Sequence, residues 1–250
     1  MDLRALDLAI ARAWPAREQV AIGSWTARLD AGVTRRPNSV LPHGGGRAPD
    51  AAVLDGWLEA TEKLYRGRGL TPWLQVTGAA WPRCLAAELA ARGWETGIDR
   101  TLLLSGPLPP AGTALDVRLA SRPDAVWLET WWAVDPRGGS PELEAAAAIL
   151  ARIGEPTAFA TVLVDGACVG VALGVLVDGL LVLECVATRP EARRRGVARA
   201  AVGALGCWAA EHGATASLLA VLAANASAHA LYEALGLTEA SAYAYARPGE

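Results

Sequence analysis

The stretch Thr188–Ala200, TRPEARRRGVARA, decides the fold. It follows Leu180-Leu-Val-Leu-Glu-Cys-Val186, which alternates like a strand, and it runs into an apolar helical pattern over Val197–His212. A strand that turns through a glycine into a helix presents free backbone N–H groups at the helix start. The helix dipole adds partial positive charge there, so the turn is suited to phosphate. Gly196 permits positive φ and close backbone approach, and Ala198 is small enough not to block it. Arg193, Arg194, Arg195 and Arg199 supply charge-assisted bonds to phosphate oxygens, although an arginine run is also compatible with a solvated face. The patch is short and isolated, which suits a diphosphate plus a further phosphate better than a nucleic-acid backbone. Neither G-x-G-x-x-G nor GxxxxGK[ST] occurs, which disfavours the dinucleotide and nucleoside-triphosphate sites built on those motifs.

The rest of the composition is consistent with local anion binding. A net charge of -3 over 250 residues creates no field that recruits nucleic acid or an anionic membrane. A hydrophobic fraction of 52% with 20% charged residues is that of a folded chain with a substantial core. Cys84, Cys168, Cys185 and Cys207 are scattered without a CxxC pair, in apolar contexts, and read as small buried hydrophobes in a reduced, cytoplasmic protein. Charges in MDLRALDLAIARAWPARE make the N-terminus a poor secretion signal and a better amphipathic helix. Glycines and Asp178 interrupt the apolar run Cys168–Val186, which fits adjacent strands better than a membrane span.

Period and punctuation divide the chain in two. In the first half, Trp25–Leu41 reads as two strands joined at Asp30-Ala31-Gly32, with Arg35, Arg36, Asn38 and Ser39 on the second. Asp50 is a plausible N-cap for a helix that RGRG stops; a strand at Thr71–Val76, a helix at Pro82–Arg92 and a strand at Ile98–Leu104 follow. Ser105–Gly112, SGPLPPAG, has the composition of a linker, and a domain boundary is expected there, between residues 1–110 and 111–250. The second half reads as a strand at Leu115–Ala120, helices at Asp124–Ala133 and Pro141–Ile153, and a hairpin turning at Asp165-Gly166. Strand Leu180–Val186, the arginine loop, helix Val197–His212, strand Ser217–Leu222, helix Ala226–Leu235 and strand Ala240–Ala246 complete it. Residues 54–104 echo residues 197–247, at a separation of 143: Gly93 falls on Gly236, and Leu89 on Tyr232.

At this point two motifs carry a resemblance. Arg193-Arg194-Arg195-Gly196-Val197-Ala198 is similar to the pyrophosphate-binding Arg/Gln-x-x-Gly-x-Gly/Ala segment of the GNAT superfamily of N-acetyltransferases. One helix and one strand later, NASAHALYEALGL (Asn225–Leu237) resembles that superfamily's Asn-x-x-Ala-x-x-Leu-Tyr-x-x-x-Gly-Phe element. The resemblance implies an α/β GNAT fold, a mixed central sheet flanked by helices, in two tandem GNAT-like modules of which the first is degenerate. It implies acetyl-CoA as co-substrate, no metal, and direct attack of an amine through a tetrahedral intermediate. The amides of Arg194–Ala198 would hold the pyrophosphate, Val186 would pair with the pantetheine and Asn225 would anchor its arm. Tyr232 would protonate the departing thiolate, and Glu184, on the strand where the superfamily often places a base, would serve the acceptor amine.

Each assignment has a plainer counterpart. Tyr232 is compatible with packing on the sheet, and Asn225 with capping the helix at Ala226. A carboxylate in the apolar strand around Glu184 is costly to bury unless it is paired or faces a cavity, so a salt bridge to an arginine competes with the base role. His229 reads as a surface residue and His212 as a helix C-terminal cap. Gly32–Pro42 resembles a segment of bacterial two-module GNAT proteins, some linked to N-acetylglutamate synthesis, through Trp25, Arg28, Arg35, Arg36, Asn38 and Ser39. On that basis Arg35 and Arg36 are candidates for binding an acceptor carboxylate, against structural ion pairs with Asp30 or Asp50. The leading expectation is an N-acetyltransferase acting on a small-molecule amine, an amino acid among the candidates. The partners expected are that amine, with neither nucleic acid nor membrane, and a homodimer as a candidate assembly. The alternatives are a protein or peptide N-acetyltransferase and a non-catalytic acyl-CoA sensor.

Overall fold

The computed structural model describes residues 2–112 and 114–249. Its first half builds α1 (Leu3–Ala13), β1 (Glu18–Ile22), β2 (Trp25–Leu29), β3 (Ser39–Leu41), α2 (Ala51–Arg66), β4 (Trp73–Thr77), α3 (Leu85–Ala91) and β5 (Trp94–Gly106). The second half builds β6 (Asp116–Ala120), α4 (Ala125–Val134), α5 (Ser140–Ala151), β7 (Thr157–Val164), β8 (Ala167–Val177) and β9 (Leu180–Thr188). It closes with α6 (Val197–Glu211), β10 (Ala216–Leu222), α7 (Ala226–Glu233) and β11 (Thr238–Pro248). Local signals set these bounds. Asp2, Asp50 and Asp124 accept from backbone N–H groups at the starts of α1, α2 and α4. Asp165 and Gly166, both at positive φ, turn the β7–β8 hairpin.

All eleven strands form one mixed sheet in the order β1-β2-β3-β4-β11-β5-β10-β9-β8-β7-β6. Apart from β6, that order is a palindrome under the 143-residue echo: β1-β2-β3-β4 followed by β11 answers β7-β8-β9-β10 followed by β5. β3 runs parallel to β4 as β9 runs parallel to β10, and every other pairing is antiparallel. Each half therefore gives its last strand to the other, β5 lying against β10 and β11 against β4. These are two GNAT-like units in tandem, sharing a continuous sheet. The proline-rich segment after β5 packs on α6, where a side chain at Gly203 or Gly206 would collide with the carbonyls of Pro110 and Pro109. Three apolar clusters fill the space between helices and sheet, one of them centred on Trp127, Trp131 and Phe159 with α1 laid across it.

Several expectations need correction. Arg35 and Arg36 do not lie on a strand: residues 30–38 form a loop ending in a 3-10 turn at Arg36–Asn38, because Pro37 cannot donate to a ladder. The β1–β2 hairpin, turning through Gly23 at positive φ, is an element the sequence reading lacks. Cys84 is exposed, so only Cys168 fits the picture of a fully buried thiol. Among the described residues no helix is long and apolar enough to cross a membrane.

Candidate active site

A break in one strand pair opens the site. β9 and β10 are in register only from Leu180↔Ala216 to Leu183↔Leu219. Beyond that, Leu173 faces Glu184 while Val171 faces Ala187, so Cys185 and Val186 oppose the single residue Ala172. This bulge takes Cys185 to φ +53, an unusual value for a residue with a side chain. β10 meanwhile stays paired with β5 as far as Leu222↔Thr101. The two strands diverge, and a cavity of ≈ 970 Å³ opens between them.

The arginine loop forms the mouth of this cavity. β9 ends at Thr188, a 3-10 turn covers Pro190–Ala192, and Arg194 and Gly196 take φ +62 and +80 before α6 begins. No side chain caps α6. Arg193 N–H donates to Pro190 O and Ala200 N–H to Gly196 O, but the amides from Arg194 to Arg199 have no partner among the described residues. Arg193, Arg194, Gly196, Val197, Ala198 and Arg199 line the cavity, whereas Arg195 is exposed and does not. The Thr188 hydroxyl, buried beside them, has no hydrogen-bond partner among the described residues. Six free amides on a helix dipole, an orphaned hydroxyl and a set of guanidiniums fit a phosphorylated carrier.

Asn225 and Tyr232 enter from α7. Asn225 does cap the helix, accepting from Ala228 N–H at 3.2 Å and Ser227 Oγ at 3.1 Å, and it lines the cavity as well. Tyr232 is buried and lines the cavity, and its hydroxyl has no hydrogen-bond partner among the described residues. Burial, then the negative charge of Glu184, pushes its phenol above the ordinary value, so it keeps its proton at neutral pH. His229 bonds to Leu222 O and His212 to Trp208 O at the end of α6.

The deep end is made by both halves. Glu184 is buried and accepts from Arg36 with both oxygens, at 2.5 and 2.6 Å. Burial opposes the charge of Arg36, yet the attraction of Glu184 and its hydrogen bonds hold the guanidinium above its ordinary value. Arg36 also lies 5.6 Å over the Trp14 ring. Arg35 pairs with Asp99 and lies over Trp73 and Tyr245. The arginines thus have carboxylate partners other than the two expected: Asp30 pairs with Arg152, and Asp50 caps α2. The 30–38 loop is held rigidly for this, since Asn38 accepts from Asp30 and Gly32 N–H and donates to Thr34 O.

The structure therefore gathers Glu184, Val186, Arg193, Arg194, Gly196, Val197, Ala198, Asn225, Tyr232, Arg35 and Arg36 around one cavity. Trp14, Asp99, Thr188, Cys185, Tyr243 and Tyr245 line it too and escape sequence reasoning. The signal that reaches Asp99, Tyr243 and Tyr245 is topological, because β5 and β11 come to the site only through the exchange of last strands, whereas Cys185 and Thr188 lie on β9 itself and Trp14 follows α1. Among the described residues no group of three or more His, Cys, Asp and Glu is placed to hold a metal ion.

A bulged strand diverging from its parallel neighbour, an uncapped helix behind Arg-x-x-Gly-x-Ala and a tyrosine on the next helix define an N-acetyltransferase of the GNAT superfamily. The family model described as "Probable histone acetyltransferase Rv0428c C-terminal" matches residues 1–246, and the chain belongs to that family. The uncharacterized N-acetyltransferase YobR of Bacillus subtilis (strain 168) is 26% identical over 98% of both chains. A GCN5-related N-acetyltransferase from Kribbella flavida shares the fold at TM-score 0.73 and 22% identity, over 100% of this chain and 97% of its own. A tandem GNAT protein from the clavulanic acid biosynthesis pathway shares it at TM-score 0.64 and 16% identity, over 85% of this chain and 76% of its own.

Proposed function

We propose that the chain moves an acetyl group from acetyl-CoA to the primary amine of a small molecule, with an amino acid among the candidates. One observation carries this reading: the free amides of 194–199, the Tyr232 hydroxyl and the Glu184 carboxylate open onto one cavity between diverging strands. Acetyl-CoA supplies an acetyl group activated as a thioester. Arg193, Arg194 and the loop amides hold its phosphates, Val186 lies where the strands part, and Asn225 flanks the pantetheine path. Glu184 takes the acceptor's proton and Tyr232 Oη gives one to the departing sulfur. Residues 111–250 carry this chemistry; residues 1–110 form the degenerate module, which contributes Arg35 and Arg36. Trp14 and the braced 30–38 loop wall the acceptor end, which favours a small amine. The family's description names a histone acetyltransferase, so a protein lysine is the second reading.

Thermal unfolding with acetyl-CoA tests the assignment. The wild-type chain should be stabilised by acetyl-CoA more than by dephospho-CoA, and an Arg193→Ala/Arg194→Ala variant should lose most of the shift. No shift at millimolar acetyl-CoA would remove the carrier from the cavity and the proposal with it.

A further inference from the structure

Glu184, the residue given the acceptor's proton, has neither oxygen free. Arg36 Nη1 donates to Oε1 at 2.5 Å and Nη2 to Oε2 at 2.6 Å. A carboxylate held in that fork is a poor proton acceptor, since protonation breaks a charge-assisted bond and strands a buried guanidinium. Arg36 is anchored at its main chain. Its guanidinium lies over the Trp14 ring, and its carbonyl accepts from Ser39 Oγ at 3.2 Å. Ser39 is held in turn by Arg28, whose Nη2 donates to Ser39 Oγ at 2.8 Å and whose Nε donates to Ser39 O at 3.1 Å.

Charge supplies a second, independent observation. Arg28 is buried, and its guanidinium bonds to Ser39 and to Gln75 Oε1, with no carboxylate among its partners. On the same cavity Arg35 is balanced by Asp99 and Arg137 by Asp135, which leaves the guanidiniums of Arg36 and, behind it, Arg28 against the one buried carboxylate of Glu184. An alkylammonium arriving there adds to an excess of positive charge, where like charges repel strongly. An amine that brings its own carboxylate adds no net charge.

We propose that Arg36 determines acceptor specificity by masking Glu184, and that a carboxylate on the acceptor unmasks it by ion-pair exchange. The acceptor's carboxylate takes the Arg36 fork and its ammonium takes Glu184. The ammonium then passes a proton to Glu184, the neutral nitrogen bonds to the acetyl carbon as the carbon–sulfur bond breaks, and the sulfur takes the Tyr232 proton. The new amide nitrogen gives up its surplus proton, which restores Tyr232, and Glu184 releases its own to solvent, so one proton leaves per turnover. A lysine side chain or polyamine meets a base that stays occupied. This inference rests on the transferase reading above.

The test measures CoA release from acetyl-CoA by the full chain with matched acceptors: an α-amino acid, its carboxamide, its decarboxylated amine and a lysine peptide. Wild type should favour the amino acid over the carboxamide by at least ~100-fold in kcat/KM. Arg36→Gln should raise KM for the amino acid and increase turnover of the carboxamide, because Glu184 is released. Equal use of the carboxamide or the lysine peptide by wild type overturns the exchange and leaves the transferase standing. So does an unchanged preference in Arg36→Gln. If acetyl-CoA stabilises the protein but no acceptor releases CoA, the transferase reading fails and takes the exchange with it. Should Arg36→Gln not fold, Arg36→Lys keeps the charge and loses the fork, and must still weaken the preference. The Arg36→Gln/Glu184→Gln variant, which has neither charge, must lose it altogether.

Discussion

The start of α2 and the start of α6 stand at equivalent places in the two halves and do opposite things. Asp50 falls on Arg193 across the 143-residue echo, and Ala51 on Arg194. In the first half the helix begins there at once, and Asp50 accepts from Val53 N–H at 3.0 Å, so the helix end is satisfied from within. In the second half the same positions are loop, α6 starts three residues later, and its first amides are left open. The strand pairs differ in the same sense. Pro42 falls on Cys185, and where β9 and β10 part, the first half closes: His43 bridges to Ala80, and Trp81 N–H donates to Pro42 O at 2.7 Å. One fold thus yields a sealed unit and an open one, and the difference lies in a handful of polar groups, not in the core. A cavity for a phosphorylated carrier requires donors left unsatisfied until the carrier arrives, which a purely structural module has no reason to keep.

The strongest way to break this comparison is to make the open half resemble the closed one at the tyrosine. Leu89 holds the place of Tyr232 in the first half and is fully buried. Tyr232→Phe removes only the hydroxyl, and kcat should fall by ~10²–10³ while the stabilisation by acetyl-CoA persists. Retained turnover would assign the proton to another group and reduce Tyr232 to packing. Next comes the cap. Gly196→Asp places at the start of α6 the kind of residue that closes α2; it should satisfy the amides, repel phosphate and weaken acetyl-CoA by ~100-fold or more. Unchanged affinity would show that the arginine side chains alone hold the phosphates.

How far the sequence discloses this follows from the range of the interactions. The arginine loop, the Asn225 cap, Tyr232 and the hairpin at Asp165-Gly166 are local, because motif, turn chemistry and periodicity lie within a dozen residues of one another. Glu184 is legible as a costly carboxylate in an apolar strand, but its partner is not. Arg36 reaches it only because α1 and the 30–38 loop sit over the end of β9, a placement set by the interleaving of β5 and β11. The same exchange places Asp99 beside Arg35 and Tyr243 and Tyr245 in the cavity. The Ser105–Gly112 segment shows the limit of composition: its prolines and glycines read as a linker, yet two glycines on α6 give it a groove in which to pack.

Two smaller effects sharpen the contrast from the stability side. Asp50→Ala removes the closed half's cap and should cost ~1 kcal/mol of unfolding free energy, with acetyl-CoA binding unchanged. A loss of carrier affinity in that variant would mean that the first half still handles phosphate.

The smallest effect is a matter of pH. Burial pushes the phenol of Tyr65 in the sealed half, and of Tyr232 in the cavity, above the ordinary 10.0. Tyr245, on the exchanged strand, is raised in the same direction by burial and by Tyr243. A raised phenol favours the neutral form in the folded protein, so its contribution is fully present below pH ~10 and is lost as pH rises beyond it, where only the unfolded chain ionises freely. Denaturant midpoints should therefore hold up to pH ~10 and then fall. Tyr65 Oη donates a hydrogen bond to Arg28 O inside a closed core, whereas Tyr232 faces the cavity. Tyr65→Phe should accordingly flatten the alkaline fall with or without acetyl-CoA. For Tyr232→Phe the size of the flattening should change when the cavity is filled. Phenolate that appears in the folded wild type at pH ~10 and is missing from Tyr232→Phe would show that the cavity is wetter than its lining suggests, and that Tyr232 gives up its proton more readily than a buried donor should.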